Sequence, residues 1–162
     1  MKDDINLKNP LSWISIGFGA GLFPIAPGTF GSLIAAFIYL FLINPFLESN
    51  FYLVLYLIFI IFSFWIGIII YPRTTGELKD PGYFVWDEFV GMWIACIPLS
   101  FFQSTFEWLI VAVIIFRIFD IWKPWIIQKY DLMEGGFGVM MDDVIAGLFT
   151  SIILFLFFLF SI

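Results

Sequence analysis

The feature that most constrains this chain is a series of five apolar stretches separated by short polar connections. A segment of roughly 20 apolar residues is long enough to cross the hydrocarbon core of a bilayer as a helix. Because lipid offers no hydrogen-bonding partner, such a segment must satisfy its backbone groups internally, as a helix does. The stretches cover residues 31–43, 51–71, 84–102, 107–122 and 144–162. The sequence therefore predicts an all-α integral membrane helical bundle with about five spans, of which the short first one is partial or tilted.

Composition favours the bilayer over a soluble fold. Hydrophobic residues make up 62% of the 162 residues and charged residues 12%, which is more apolar than a soluble domain of this length. The stretches leave no room for a separate soluble module, so residues 1–162 are expected to form a single membrane-embedded domain. The net charge of −6 includes no basic run, so we expect membrane lipids and not nucleic acid as partners. The sequence leaves open whether the chain forms a homo-oligomer.

The chain contains no histidine and only one cysteine. The lack of histidine excludes every mechanism that uses imidazole as nucleophile, general base or metal ligand. Cys96 lies within an apolar stretch, without a second cysteine or a neighbouring cation to activate its thiol, so it is expected to pack in the core. Any chemistry must therefore use carboxylates.

The placement of lysine and arginine predicts the orientation in the membrane. Basic residues precede the first stretch and then occur in alternate connections, as they do in cytoplasmic loops. They are Lys2, Lys8, Arg73, Lys79, Lys123 and Lys129. The N-terminus is therefore predicted to be cytoplasmic. Tryptophans near the ends of the stretches are expected to anchor the protein at the membrane interface; they are Trp13, Trp86, Trp93, Trp108, Trp122 and Trp125.

Five carboxylates fall at the predicted cytoplasmic ends of these spans: Asp87, Glu88, Asp120, Asp142 and Asp143. An ionised side chain at the bilayer centre costs about 2.5 to 3.5 kcal/mol, and less near the interface, so such residues need partners. Two structural explanations stay open. The acids other than Asp120 would lie in the first turn of outward-running helices, where the helix dipole favours negative charge. Asp120 would form ion pairs with Arg117 and Lys123, each three residues away.

The functional explanation is that these five acids form one divalent-metal site. Several hard oxygen ligands without histidine or thiolate are typical of Mg²⁺ sites, with Mn²⁺ as the alternative ion. A metal held there would neutralise a phosphate group and activate water. All five are therefore both candidate metal ligands and candidate catalytic residues.

A second set of residues is expected to bind phosphate. They are the cations Arg117 and Lys123, with Arg73 as a further candidate, and Gly28, Thr29 and Ser32 of the segment 24–32, PIAPGTFGS. The cations would bind non-bridging oxygens. Thr29 is expected to cap a helix whose free amides face an anion. Helix punctuation by the two prolines explains the same segment equally well.

Two glycine-rich segments carry less information. Residues 17–21, GFGAG, lack a preceding strand, which excludes a dinucleotide-binding fingerprint. Gly135, Gly136 and Gly138 are expected to form a flexible turn just before Asp142 and Asp143, suited to close approach of the backbone to a ligand.

Together these motifs resemble the phosphatidylglycerophosphatase A family of bacterial lipid phosphatases. The resemblance spans most of the chain and is carried by GFGAG (17–21), PIAPGTFGS (24–32), VWDEFVGMW (85–93), FRIFDIWKPW (116–125) and GGFGVMMDDVIAG (135–147). One departure is Ile126, where relatives often have a second proline. The resemblance implies Mg²⁺-dependent removal of the terminal phosphate of phosphatidylglycerophosphate in the bacterial inner membrane, with the active site facing the cytoplasm.

Three other classes of protein remain as alternatives. A divalent-cation transporter would also place acids inside a membrane, but it needs polar groups across the whole bilayer. The outer halves of the predicted spans offer little more than Ser63, Ser100 and Glu107. A noncatalytic assembly subunit would show no turnover. Another lipid phosphatase or phosphotransferase is the enzymatic alternative, although histidine-dependent lipid phosphatases are excluded by composition.

Overall fold

The computed structural model describes residues 5–76, 78–101 and 105–161. Over these residues the chain forms seven α-helices connected by 3-10 and π segments and by loops, without a strand, so the prediction of an all-α fold is confirmed. The helices are α1 Pro10–Ser15, α2 Pro27–Ile38, α3 Asn50–Thr75, α4 Trp86–Ala95, α5 Thr105–Trp122, α6 Ile126–Asp131 and α7 Gly136–Ser161.

Three helical segments of the described chain are long and apolar enough to cross a membrane: Pro27–Phe46, Asn50–Thr75 and Gly136–Phe160. The first is longer than the sequence predicted, because the helix begins at Pro27, a residue favoured at the first helical position, and α2 continues through a π turn at Tyr39–Ile43. With 20 residues it is long enough for a full span.

The other two predicted spans differ from this set. The stretch 84–102 contains α4, which is only 10 residues long and is followed by a 3-10 segment, Ile97–Phe101. Pro98 explains the break, since proline lacks an amide hydrogen for a continuing helix. The helix α5 has 18 residues but carries Glu107, Arg117 and Asp120.

The short helix α4 forms the centre of the bundle and packs against α2, α3, α5 and α7. All of its residues except Glu88 are buried. Two of the tryptophans expected at the membrane interface belong to this core. The indole of Trp86 donates to the Ser63 carbonyl at 3.0 Å, and that of Trp93 donates to the Ala35 carbonyl at 3.1 Å.

The prediction that Trp86 and Trp93 lie at the membrane interface was therefore wrong. Both indoles can be buried because backbone carbonyls of α3 and α2 accept their N–H groups. Trp122 and Trp125 are 74% and 85% exposed, as interfacial anchors would be. Cys96 is buried, so the prediction that it packs in the core is confirmed.

Two glycines let α4 and α7 approach each other closely. A Cβ at Gly147 would collide with the backbone carbonyl of Gly91, and a Cβ at Gly91 would lie 2.6 Å from the Asp143 carbonyl. Small residues at helix crossings allow backbones to meet in this way. The crossing therefore brings the first turn of α4 beside Asp143.

The helix α7 begins at Gly136, eight residues earlier than the predicted stretch. Gly135 forms the turn with φ +83°, whereas Gly136 and Gly138 are already helical, so the expected turn is shorter than predicted. Asp142 and Asp143 consequently lie in the second turn of α7. Their predicted first-turn placement was wrong, while that of Asp87 and Glu88 in α4 is confirmed.

Candidate active site

One cavity of about 300 Å³, here called the acidic cavity, lies where the N-terminal ends of α2, α4 and α7 meet the C-terminal end of α5. All five acids singled out in the sequence line it, together with two cations and a glycine that were expected to bind phosphate. Its polar lining consists of Asp80, Asp87, Glu88, Arg117, Asp120, Lys123, Asp142 and Asp143, with Gly28 at the start of α2. Segments far apart in sequence therefore converge at one end of the bundle.

Three of the five acids form a compact cluster. Asp87, Glu88 and Asp143 each offer a carboxylate oxygen, and these oxygens lie within 4.8 Å of one another. The Asp87 carboxylate accepts the Glu88 backbone N–H at 3.0 Å. Buried like charges at this separation repel one another strongly unless a cation or protons compensate them.

The cluster fits a divalent cation. Its donors are carboxylate oxygens, which Mg²⁺ and Mn²⁺ prefer. Glu88 Oε2 is buried and has no hydrogen-bond partner among the described residues. Since unpaired buried polar atoms are rare in native proteins, this oxygen is a candidate ligand atom.

Asp120 is held differently, by an ion pair with Arg117 on the same helix. The Arg117 Nη1 also lies 3.9 Å from Glu88 Oε1 and donates to Ser32 Oγ at 3.4 Å. The Asp120 carboxylate adjoins that of Asp143. Arg117 therefore connects Asp120 to the three-carboxylate cluster, and the predicted ion pair between Asp120 and Arg117 is confirmed.

Lys123 does not join this pair, so the alternative in which Asp120 also pairs with Lys123 was wrong. The helix α5 ends at Trp122, and Lys123 adopts a positive φ of 47°, so it leaves the helical face. Its ammonium contacts Asp131 and lies 2.7 Å from Asp142 Oδ2. Burial alone would lower the pKa of Lys123, but these carboxylates hold its pKa above the ordinary value. Lys123 is therefore a firmly protonated cation at the cavity wall.

The prediction that Thr29 caps a helix was wrong. Ala26 precedes α2 in a left-handed conformation, and the structure shows no side-chain cap there. Thr29 is the third helical residue, and its N–H donates to the Ala26 carbonyl at 3.0 Å. Because Pro27 starts the helix, the cap position falls three residues before the threonine. Thr29 does not line the acidic cavity.

Gly28 and Ser32 occupy different positions relative to the cavity. A Cβ at Gly28 would clash with Glu88 Oε1 and lie 3.2 Å from Arg117 Nη1, so glycine leaves room for both side chains. Ser32 is buried behind the cavity wall, where its hydroxyl donates to the Gly28 carbonyl at 2.9 Å. Arg73, the further cation considered, is exposed and does not line the cavity.

Sequence reasoning missed two acids at this site. Asp80 lines the cavity from the loop before α4, and its backbone N–H donates to the Tyr71 hydroxyl at 2.8 Å. Burial raises the pKa of Asp80, although nearby Lys123 opposes the shift. Asp131 contacts Lys123 from the end of α6. Both lie in polar connections, where an acid is ordinary, so their sequence context carries no signal of a site.

The chain matches a known protein family and several known proteins. A family model described as phosphatidylglycerophosphatase A matches residues 13–158. Phosphatidylglycerophosphatase A of Escherichia coli (strain K12) is 38% identical over 158 residues, which cover 95% of this chain and 87% of the relative. The protein of the same name from Haemophilus influenzae is 38% identical over 156 residues, covering 93% of this chain and 90% of the relative.

A third relative comes from Bacteroides thetaiotaomicron and bears the provisional name phosphatidylinositol-3-phosphatase. It is 38% identical over 144 residues, which cover 87% of this chain and 89% of the relative. No solved structure matches the chain significantly.

Proposed function

This chain belongs to the phosphatidylglycerophosphatase A family, and we propose that it hydrolyses the terminal phosphomonoester of phosphatidylglycerophosphate to phosphatidylglycerol and inorganic phosphate. This reaction is a step of phospholipid biosynthesis. The observation that carries the proposal is the close grouping of three carboxylates with Arg117 and Lys123 around one cavity. A phosphomonoester needs both neutralisation of its charge and activation of an attacking oxygen, and this set of groups offers both.

Asp87, Glu88 and Asp143 are the proposed ligands of a Mg²⁺ ion, with Mn²⁺ as the alternative. When bound, such an ion neutralises phosphate charge and lowers the pKa of a coordinated water. Arg117 and Lys123 bind non-bridging phosphate oxygens, since both cations line the same cavity. Asp120 and Asp142 hold these two cations in position through their ion pairs.

The phosphatase reaction requires water and releases two products. The water oxygen forms a new bond to phosphorus, and the ester bond between phosphorus and the glycerol oxygen breaks. The leaving glycerol oxygen takes up a proton and becomes the hydroxyl of phosphatidylglycerol. Buried carboxylates around the cavity are suited to accept and return that proton.

We further propose that the chain lies in the bacterial inner membrane as one domain, with its N-terminus and acidic cavity on the cytoplasmic side. The alternating basic connections support this orientation. Five spans are compatible with it if α4 and α5, together with their flanking turns, cross the bilayer beside the three long helices. The substrate phosphate would then meet the cavity from the cytoplasmic leaflet.

A phosphate-release assay on the purified protein tests the proposed function. The substrates are phosphatidylglycerophosphate, phosphatidic acid, phosphatidylinositol 3-phosphate and a soluble phosphomonoester, each with Mg²⁺ and with a chelator. We expect Mg²⁺-dependent release with the highest kcat/KM for phosphatidylglycerophosphate. Preference for phosphatidylinositol 3-phosphate would contradict the substrate, and absence of release from all four would contradict the phosphatase assignment.

A further inference from the structure

An apolar groove lies between α2 and α5, two of the four helices whose ends form the acidic cavity. It has a volume of about 410 Å³. We call it the α2–α5 groove and define it by six of its lining residues, Leu33, Phe37, Phe41, Phe106, Ile110 and Ile114. The proposed function raises the question of where the acyl chains of the substrate lie when its phosphate occupies the cavity.

A side-chain contact joins α2 and α5 at the wall of the acidic cavity. That contact joins Arg117 and Ser32 at 3.4 Å. Leu33 follows Ser32 in α2, and Ile114 precedes Arg117 by three residues, or about 4.5 Å along the helix. Residues of the groove on both helices therefore lie within one helical turn, along the chain, of the two residues that form this contact.

A continuous apolar stripe on α5 joins the groove to the cavity. Phe106, Ile110, Ile114 and Ile118 are all exposed and recur at four-residue intervals, so they lie on one face of the helix. Ile121 follows three residues later and lines the acidic cavity itself. The residues of this stripe between the acidic cavity and the groove, Ile121, Ile118 and Ile114, are all apolar.

From this continuity we propose that the α2–α5 groove receives one acyl chain of the phospholipid substrate. The inference rests on the proposed function, because it takes the cavity as the phosphate site. An acyl chain moving from bilayer to groove stays in an apolar surrounding and gains little hydrophobic free energy. The groove therefore orients the lipid and aligns its headgroup with the cavity, and it contributes through positioning of the reacting group.

The chain supplies a matched control groove. A second apolar groove of about 290 Å³ lies between the 3-10 segment Ile97–Phe101 and the C-terminal half of α7, and it includes Ile152. None of its lining residues lines the acidic cavity. Ile110 and Ile152 are 48% and 55% exposed, so tryptophan at either position projects toward lipid without overpacking the core.

The first measurement compares I110W and I152W in phosphate release from dioleoyl phosphatidylglycerophosphate and from its deacylated, water-soluble headgroup. We expect I110W to lose kcat/KM for the diacyl lipid on the order of tenfold, with an unchanged rate on the headgroup. We expect I152W to match the wild type on both. Equal losses in both variants, or equal losses on both substrates for I110W, would overturn the proposal.

The second measurement is independent of turnover. Wild-type protein in nanodiscs, without Mg²⁺, is irradiated with phosphatidylglycerophosphate or phosphatidylcholine that carries a photoreactive acyl chain, and labelled residues are mapped by mass spectrometry. We expect labelling of the α2–α5 groove to be enriched with phosphatidylglycerophosphate. The same labelling pattern with both lipids would overturn the proposal that the groove receives an acyl chain of the substrate. Absence of hydrolysis by the wild type would instead contradict the proposed function, and the labelling result could still be interpreted because it does not depend on turnover.

Discussion

Asp120 and Arg117 form an ion pair one helical turn apart on α5, and the same guanidinium lies 3.9 Å from Glu88 of the three-carboxylate cluster. The side chains of Arg117 and Asp120 are only 16% and 11% exposed. A carboxylate near the C-terminal end of a helix is disfavoured by the helix dipole, so the arginine is its main compensation. The pair therefore holds the guanidinium at the wall of the acidic cavity.

This relationship predicts that Arg117 and Asp120 act as a unit. D120N and R117K should each lower kcat/KM for phosphatidylglycerophosphate by about 100-fold. D120N frees the guanidinium from its fixed position, and R117K replaces the bidentate guanidinium with a single ammonium group. The double variant should lose little more than either single variant, because both single changes remove the same interaction. Steady-state kinetics of the four proteins measure this coupling. Losses that multiply in the double variant would contradict the account.

The three-carboxylate cluster predicts a metal-binding phenotype that is separate from turnover. D87N should weaken Mn²⁺ binding by at least tenfold, because the cluster loses one charged oxygen ligand. Glu107, an exposed acid at the other end of α5, provides the control variant E107Q. Electron paramagnetic resonance of free Mn²⁺ during a titration measures the affinity. Equal affinity in D87N and E107Q would show that the ion binds elsewhere.

The space at Gly28 predicts an activity defect without unfolding. In G28A the new methyl group would push against Glu88 Oε1 and crowd Arg117, so activity should fall at least tenfold from a displacement of about 1 Å. G82A is the comparison, because its Cβ would meet only Pro27 Cγ at 3.8 Å. Both proteins should keep the wild-type thermal midpoint within a few degrees. Full activity in G28A would contradict the close packing at this wall.

The crossing of α4 and α7 predicts a stability defect. In G147A the Cβ would collide with the Gly91 carbonyl and separate the helices, which should destabilise the protein by about 1 to 3 kcal/mol. L148A, at an exposed neighbouring position, should change stability much less. Thermal unfolding in detergent compares the two variants. A midpoint for G147A at or above that of L148A would argue against the contact.

The convergence of the five acids could be predicted because charged residues in apolar stretches are costly and because the positions of the basic connections predict which ends of the stretches share one side. Asp87 and Glu88 lie in the first turn of α4, as predicted from the preference of acids for the positive end of the helix dipole. The partners of these acids depend on where helices end, which hydropathy does not define. Lys123 leaves α5 with a positive φ and pairs with Asp142 instead of Asp120.

Other differences arise from tertiary packing. Trp86 and Trp93 resemble interfacial tryptophans by position, but carbonyl groups of α3 and α2 accept their N–H groups within the core. Asp80 enters the cavity because its loop is held by Tyr71, a contact between residues nine positions apart. None of these three contacts leaves a periodic signal in the sequence.

The central claim is that the carboxylate cluster supports metal-dependent hydrolysis of a lipid phosphate. The most direct test is a Mg²⁺ titration of phosphate release from phosphatidylglycerophosphate by the wild type, D143N and E107Q. The account predicts no release in chelator, saturable activation of the wild type and E107Q, and loss of at least 100-fold in D143N at every Mg²⁺ concentration. Release by the wild type at an undiminished rate in chelator, or wild-type activation of D143N, would contradict it.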